Sequence, residues 1–167
     1  MLTETIAPYA QRYIDRVPPE EDIVDLLRAR EQGISSFLES IPAERWSYRY
    51  ADDKWTLLQS WLHVSDSERI FAARALRIAR GDATPLPGFD QDEFAVKSGY
   101  ESRSYRSVLS EYATVRAATL SLFENLPKEA LEYTGTFSGH SYRVVTVARI
   151  LMGHELHHVE LTRQKYL

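Results

Sequence analysis

The chain has 167 residues, 44% hydrophobic and 26% charged, with seven Gly, seven Pro and no Cys. That length suits one domain that buries a core without staples, and a chain without cysteine has no disulfide framework, zinc ribbon, CxxC redox pair or cysteine nucleophile. Its 24 acidic and 20 basic residues give a net charge of −4, which supplies solubility but no broad footprint for nucleic acid or anionic lipid.

The opening Met1-Leu-Thr-Glu-Thr-Ile6 has no basic region leading into an apolar one. No apolar run approaches the roughly 18–20 residues that span a membrane, so a soluble cytoplasmic protein is expected. Residues 1–19 read as an arm whose Tyr9, Tyr13 and Ile14 lie across the outside of the domain. Four stretches beyond it carry helical periodicity, and little reads as strand. The first opens after Pro18 and Pro19, where Glu20, Glu21 and Asp22 suit the positive end of a helix dipole. Its apolar residues Ile23, Leu26, Leu27, Ile34, Phe37, Leu38 and Ile41 recur at spacings consistent with one face until Pro42 stops it. The second begins at Thr56, with Gln59 three residues on as a capping box, and runs to Gly81. Residues 82–103, with Pro85, Pro87 and Gly88, form a long connection in which 91–97 has room for one helical turn. A connection of that length is functional or crosses from one end of a bundle to the other. The third helix spans about Tyr105 to Leu126 and is stopped by Pro127. Residues 128–145 read as irregular around Gly135 and Gly139, with Phe137 to Val145 briefly extended. The fourth helix starts after Thr146, its predicted N-cap, and continues almost to Leu167. Four amphipathic helices of about 20 residues bury one another as an all-α four-helix bundle, one domain over 1–167.

Three of five histidines fall within Gly153-His-Glu-Leu-His-His158 on the last helix. At 100° per residue, His154 and His158 stand about 40° apart and one turn apart along the axis, so their imidazoles can chelate one cation. The same pair near a helix C-terminus also serves as plain dipole compensation. His157 lies about 100° from His158 and suits a different direction. His63 follows Thr56 by seven residues and His154 follows Thr146 by eight. If both helices start at the same end, His63 comes to the same depth, as a third ligand or as a partly buried structural histidine. Three nitrogens leave room for water or substrate, the layout of a catalytic rather than a closed site.

The run His154-Glu-Leu-His-His158 also matches H-E-x-x-H, the helical zinc-protease pattern with Glu155 as base. Those proteases take a third ligand from downstream, where this sequence offers Glu160 on the far side of the helix, and no sheet is expected for a peptide to join. Glu155 and His158 form one Glu-x-x-His without the second that di-iron bundles require. Asp66 is a candidate acceptor for an imidazole N–H, or belongs with Glu68, Arg69 and Arg74 to a solvated, salt-bridged face. Trp46, Trp55, Trp61, Phe71 and Phe137 read as core, and Arg69, Arg74, Arg77 and Arg80 as a solvated helix face. No Gly-rich phosphate loop and no Gly-x-Ser-x-Gly elbow occurs.

Five segments carry a family likeness. They are Lys54-Trp-Thr56, Trp61-Leu-His-Val-Ser-Asp-Ser-Glu-Arg69, Arg74-Ala-Leu-Arg-Ile-Ala-Arg-Gly-Asp82, Thr84-Pro-Leu-Pro-Gly-Phe-Asp90 and Gly153-His-Glu-Leu-His-His158. In these the chain resembles the DinB-like (DinB/YfiT) superfamily of metal-dependent four-helix-bundle proteins over most of its length. The resemblance implies a bundle of unusual connectivity with long crossovers, often a homodimer. It implies one divalent metal ion per chain, nickel or zinc, held by His63, His154 and His158, the trio that spacing also reaches. Because several members are thiol-dependent S-transferases or isomerases, it further implies a metal-dependent enzyme that transfers a low-molecular-weight thiol to a small electrophile. A cysteine-free chain would receive that sulfur on a cosubstrate. The alternatives are a metal-dependent hydrolase using metal-bound hydroxide, with Glu155 as base, and a non-enzymatic dimeric bundle that binds a metal or ligand. Neither nucleic acid nor membrane is an expected partner.

Overall fold

The computed structural model describes residues 3–167. In chain order the helices are α1 (Pro8–Ile14), α2 (Ile23–Glu39), α3 (Leu57–Ala79), α4 (Gln91–Lys97), α5 (Tyr105–Glu124) and α6 (Val144–Leu161). A hairpin of β1 (Thr134–Phe137) and β2 (His140–Arg143) precedes α6, and a π-helical turn (Thr162–Tyr166) extends it. Local chemistry sets most boundaries. Asp22 caps α2 by accepting from the Val24 and Asp25 N–H groups. At α3 the Thr56 hydroxyl accepts from Gln59 N–H at 3.1 Å while the Gln59 carbonyl oxygen accepts from Thr56 N–H at 3.0 Å, the capping box expected there. Asp90 caps α4 and Ser104 caps α5 in the same manner.

Three expectations are corrected. Residues 134–143 are a regular antiparallel hairpin, where only Phe137 to Val145 was expected to be extended, and it turns through Ser138 and Gly139, both with positive φ. Positive φ at both central residues is the geometry that matches strand twist in a two-residue turn. Strand β2 hands the chain directly into α6, so that helix starts at Val144, and Thr146 is buried inside its first turn instead of capping it. The cap position, Arg143, is held by Glu4, whose carboxylate accepts from the Arg143 N–H at 2.8 Å. The arm also differs from expectation. Within it Pro8–Ile14 is helical and packs on α6, with Ala7 and Ala10 buried.

The four long helices pack as α3 on α5 and α6, and α2 on α5 and α6, which leaves α2 diagonal to α3 and α5 diagonal to α6. Their directions follow from paired contacts. Trp61 meets Tyr112 and Glu68 meets Arg116, so α3 and α5 are parallel. Ser60 meets His158 and His63 meets His154, so α3 and α6 are antiparallel. Arg28 pairs with Glu124 near the start of α2 and the end of α5, consistent with an antiparallel pair. Parallel neighbours that follow one another in the chain need a return path, and residues 80–104 provide it. That crossover is pinned to the hairpin. Leu86 N–H donates to Thr136 C=O at 2.9 Å and Ser138 N–H to Leu86 C=O at 3.1 Å.

The interior divides into two apolar clusters. One, around Phe71, Phe123, Phe137, Tyr142 and Ile150, joins the hairpin and α1 to one end of the bundle. The other, around Leu38, Trp46, Trp61, Tyr112 and Val159, fills the opposite end. Between them sits a buried charge network. Arg116 donates to both carboxylate oxygens of Glu68, at 2.9 and 2.8 Å, and also to Glu155, which accepts from the Tyr112 hydroxyl as well. No described helix is long and apolar enough to cross a membrane.

Candidate metal centre

Because α3 and α6 run in opposite directions, the first third of α3 lies beside the last third of α6. His63, in the second turn of α3, therefore reaches His154 and His158 near the end of α6. The meeting does not come from two helices starting at the same end, as a cap at Thr146 had implied. Ligand atoms of the three side chains lie within 4.8 Å of one another. His63 Nε2 and His154 Nε2 are 3.0 Å apart, and the ring centroids are separated by 4.9 Å (His63–His154), 5.3 Å (His63–His158) and 4.6 Å (His154–His158). Each of the three is 6% exposed.

Burial determines their charge. It lowers the His63 pKa from 6.5 to about 4, with a smaller repulsion from His157. His154 and His158 are pushed well below 6.5 by burial first and by neighbouring imidazoles second. Three neutral imidazoles with lone pairs facing one point are what a divalent ion requires. The outer nitrogens fit the same role. Ser60 Oγ is 2.9 Å from His158 Nδ1, and Ser67 Oγ is 3.5 Å from His63 Nδ1. In the tautomer that carries its proton on Nδ1, each of these rings donates to its hydroxyl and leaves Nε2 as the ligating atom. Among the described residues no Asp, Glu or further His joins the cluster. The donor set therefore fits a catalytic ion with open positions rather than a closed structural one.

None of the remaining candidates joins the cluster, although His157 borders the cavity at His63 and His158. His157 is half-buried, 3.5 Å from Arg16 and packed on Tyr13, turned toward the arm. His140 lies in β2 beside Tyr142. Asp66 pairs with Arg69 rather than with an imidazole. Glu155 faces Arg116 and Tyr112 in the bundle interior, where burial raises its pKa against the pull of Arg116; its position argues against the expected role as a base. Arg74 is not solvated but buried against Phe71 and Phe137.

Several site residues escaped sequence reasoning. Tyr13 packs edge-on against His154 at 5.1 Å, and the indole of Trp55 lies 4.9 Å from His63. The arm reaches His154 because Gly153 precedes it, and a Cβ there would fall 1.9 Å from the Tyr13 carbonyl oxygen. Ser60 and Ser67 were findable, since with His63 they form one i, i+3, i+7 stripe on a helix. Two cavities flank the cluster. One of about 360 Å³ is lined by Trp55, Ser60, His63, His158 and Tyr166. The other, about 350 Å³, is lined by Tyr9, Ser67, Phe71, Arg74 and His154, and Tyr13, His63 and Gln91 border both.

The fold has solved relatives. YfiT from Bacillus subtilis, described as a probable metal-dependent hydrolase with an unusual four-helix bundle topology, matches with a TM-score of 0.69 at 15% identity, over 98% of this chain and 92% of its own. A mycothiol-dependent maleylpyruvate isomerase matches with a TM-score of 0.68 at 15% identity over 89% of this chain, which spans 62% of the isomerase. At such identity the likeness shows the fold alone. No curated protein matches the sequence. The profile of the DinB superfamily matches residues 26–161, inside which the histidine cluster and its charge network fall, and the chain belongs to that superfamily.

Proposed function

We propose that this chain is a metal-dependent enzyme in which His63, His154 and His158 hold one divalent cation, nickel or zinc. In this reading it transfers a low-molecular-weight thiol to a small electrophile. The carrying observation is a cluster of three buried, neutral imidazoles that opens on two cavities instead of being closed by a fourth side chain. A cation there supplies a Lewis acid that lowers the pKa of a coordinating thiol or water and polarises a substrate oxygen. The chain's part is to present three lone pairs, to orient two rings through Ser60 and Ser67, and to exclude water with Trp55 and Tyr13. With no cysteine in the chain and no carboxylate in the cluster, a nucleophile that arrives on a cosubstrate and is ionised by the metal fits the residues present.

The fold shared with a mycothiol-dependent isomerase supports this reading. The description of YfiT supports the second one, a metal-dependent hydrolase. That alternative needs a base other than Glu155, whose carboxylate faces Arg116 and Tyr112 in the interior and lines neither cavity. Elemental analysis of the purified protein, followed by assays with electrophile–thiol pairs and with esters and amides, separates the readings. Thiol-dependent turnover that chelation abolishes supports the first, and ester or amide cleavage the second. Bound metal without turnover in either panel leaves a binding protein. We also propose a cytoplasmic homodimer; light scattering at micromolar concentration showing only a 19.2 kDa species rejects the dimer.

A further inference from the structure

Arg74 extends from α3 on the same face as His63, with Ser67 and Phe71 between them at spacings of four, four and three. It is 5% exposed. The chain's other buried arginine, Arg116, is held by two carboxylates, whereas no carboxylate among the described residues pairs with Arg74. Of its five N–H donors one is committed, Nη2 to the Pro87 carbonyl at 2.6 Å. Around the guanidinium stand three aromatic rings, with centroids 4.5 Å (Phe137), 5.3 Å (Phe71) and 5.8 Å (Phe89) from its carbon. Ring faces offset part of the cost of burying a cation but provide no acceptor for its N–H groups. A guanidinium that remains charged, is walled by aromatics and lines a cavity of about 350 Å³ is prepared for an anion that the chain does not contain.

We propose that this cavity is the carboxylate subsite of the substrate. Arg74 pairs with the carboxylate through parallel N–H···O bonds, the rings of Phe71, Phe89 and Tyr13 cover the apolar part, and the far end of the molecule meets the cluster at His63 and His154. Eleven residues of α3 rise about 16 Å, and an arginine side chain leans back toward its helix N-terminus, so a ligand of several carbons spans the gap. A carboxylate fits better than a phosphate because Arg74 is the sole cation lining this cavity, and one guanidinium neutralises one charge. The place of the far end rests on the metal-enzyme reading above; the contact with Arg74 does not.

The test uses the full chain treated with chelator, so that no metal holds the probe, and calorimetric titration with phenylacetate and its neutral isostere phenylacetamide. Wild-type protein should bind the acid at least tenfold more tightly than the amide. Arg74→Met should abolish that preference, and Arg74→Lys should keep only part of it, since an ammonium lacks the planar fork. Equal binding of acid and amide by the wild type, or no binding of the acid, overturns the proposal, and that comparison needs no variant to fold. Inorganic phosphate binding more tightly than the acid overturns it in favour of a phosphate site. Metal content measured before chelation separates the two proposals. Metal-free protein that keeps its preference for the acid retains the Arg74 subsite and loses the metal enzyme. Metal-loaded protein without the preference does the reverse.

Discussion

Glu155 and Arg116 meet across the diagonal of the bundle, carboxylate against guanidinium, with 1% and 0% of their side chains exposed. His154 and Glu155 are neighbours in sequence, yet successive helical residues diverge by about 100°. One turn of α6 thus sends an imidazole into the cluster and a carboxylate into the interior. Glu68 brings α3 into the same network through Arg116. Sliding α6 along α3 by a turn would strand these charges, so the network fixes the register in which His63 meets His154.

Removing one member should therefore be costly. Arg116→Met leaves Glu68 and Glu155 buried without a cation, and breaking a buried pair from one side costs about 3–5 kcal/mol. Glu155→Gln should lose less, because a neutral amide still accepts from Tyr112 and Arg116. Urea unfolding of both variants checks the order. A loss under about 1 kcal/mol for Arg116→Met, no more than an exposed ion pair is worth, would mean that the network holds no register.

Metal content should discriminate among the histidines. His63→Ala, His154→Ala and His158→Ala each remove one of three proposed ligands and should reduce bound metal to a small fraction, whereas His157→Ala should leave it largely intact. Ser60→Ala, which frees the outer nitrogen of His158, should weaken metal affinity about 10–100-fold. Elemental analysis and competition with a chelating dye read both effects. Loss of metal from His157→Ala but not from His158→Ala would reassign the pair on α6.

Gly153→Ala should disturb the arm. The added methyl would fall 1.9 Å from a backbone oxygen of Tyr13, so α1 has to move. Overpacking of this kind costs about 1–3 kcal/mol, and the shift should uncover residues 8–14 to protease while the bundle itself resists. Unchanged melting temperature and cleavage would show that α1 yields without cost.

Acid should unfold the metal-free protein early. A histidine whose folded pKa is lowered holds fewer protons folded than unfolded, so stability rises with pH between the two values and is lost as pH falls. For His63 that window runs from 6.5 down to about 4, worth up to about 3 kcal/mol at 1.36 kcal/mol per unit. His154 and His158 act in the same direction. Urea midpoints of chelator-treated protein at pH 7.5, 6 and 5 should fall steadily, and less steeply in His63→Ala. Parallel profiles for the two proteins would reject this origin.

Much of the bundle was legible because its signals are local. The Thr56/Gln59 box, the acids Glu20 to Asp22, Pro42 and Pro127 each mark a helix boundary from within a few residues. The start of α6 was misread for the opposite reason. A hairpin and the distant Glu4 set it, and Thr146, though of the right type for a cap, is buried instead. The three histidines were found by spacing on one helix plus one outlier, but the condition that placed them together, helices starting at the same end, does not hold, since α3 and α6 are antiparallel. Tyr13 and Arg74 were missed because each owes its place to a partner far away in sequence. For Tyr13 that partner is Gly153, and for Arg74 it is Phe137 on the hairpin.

The placement of the cluster between two cavities, with Tyr13, His63 and Gln91 as the shared border, bears on the order of events in the proposed reaction. A centre with a single mouth takes in both reactants by one path. On the proposed reading, a doorway on either side lets thiol and electrophile reside together, so that no covalent intermediate on the protein is needed to carry one to the other. Initial-velocity lines for the two reactants would then intersect rather than run parallel.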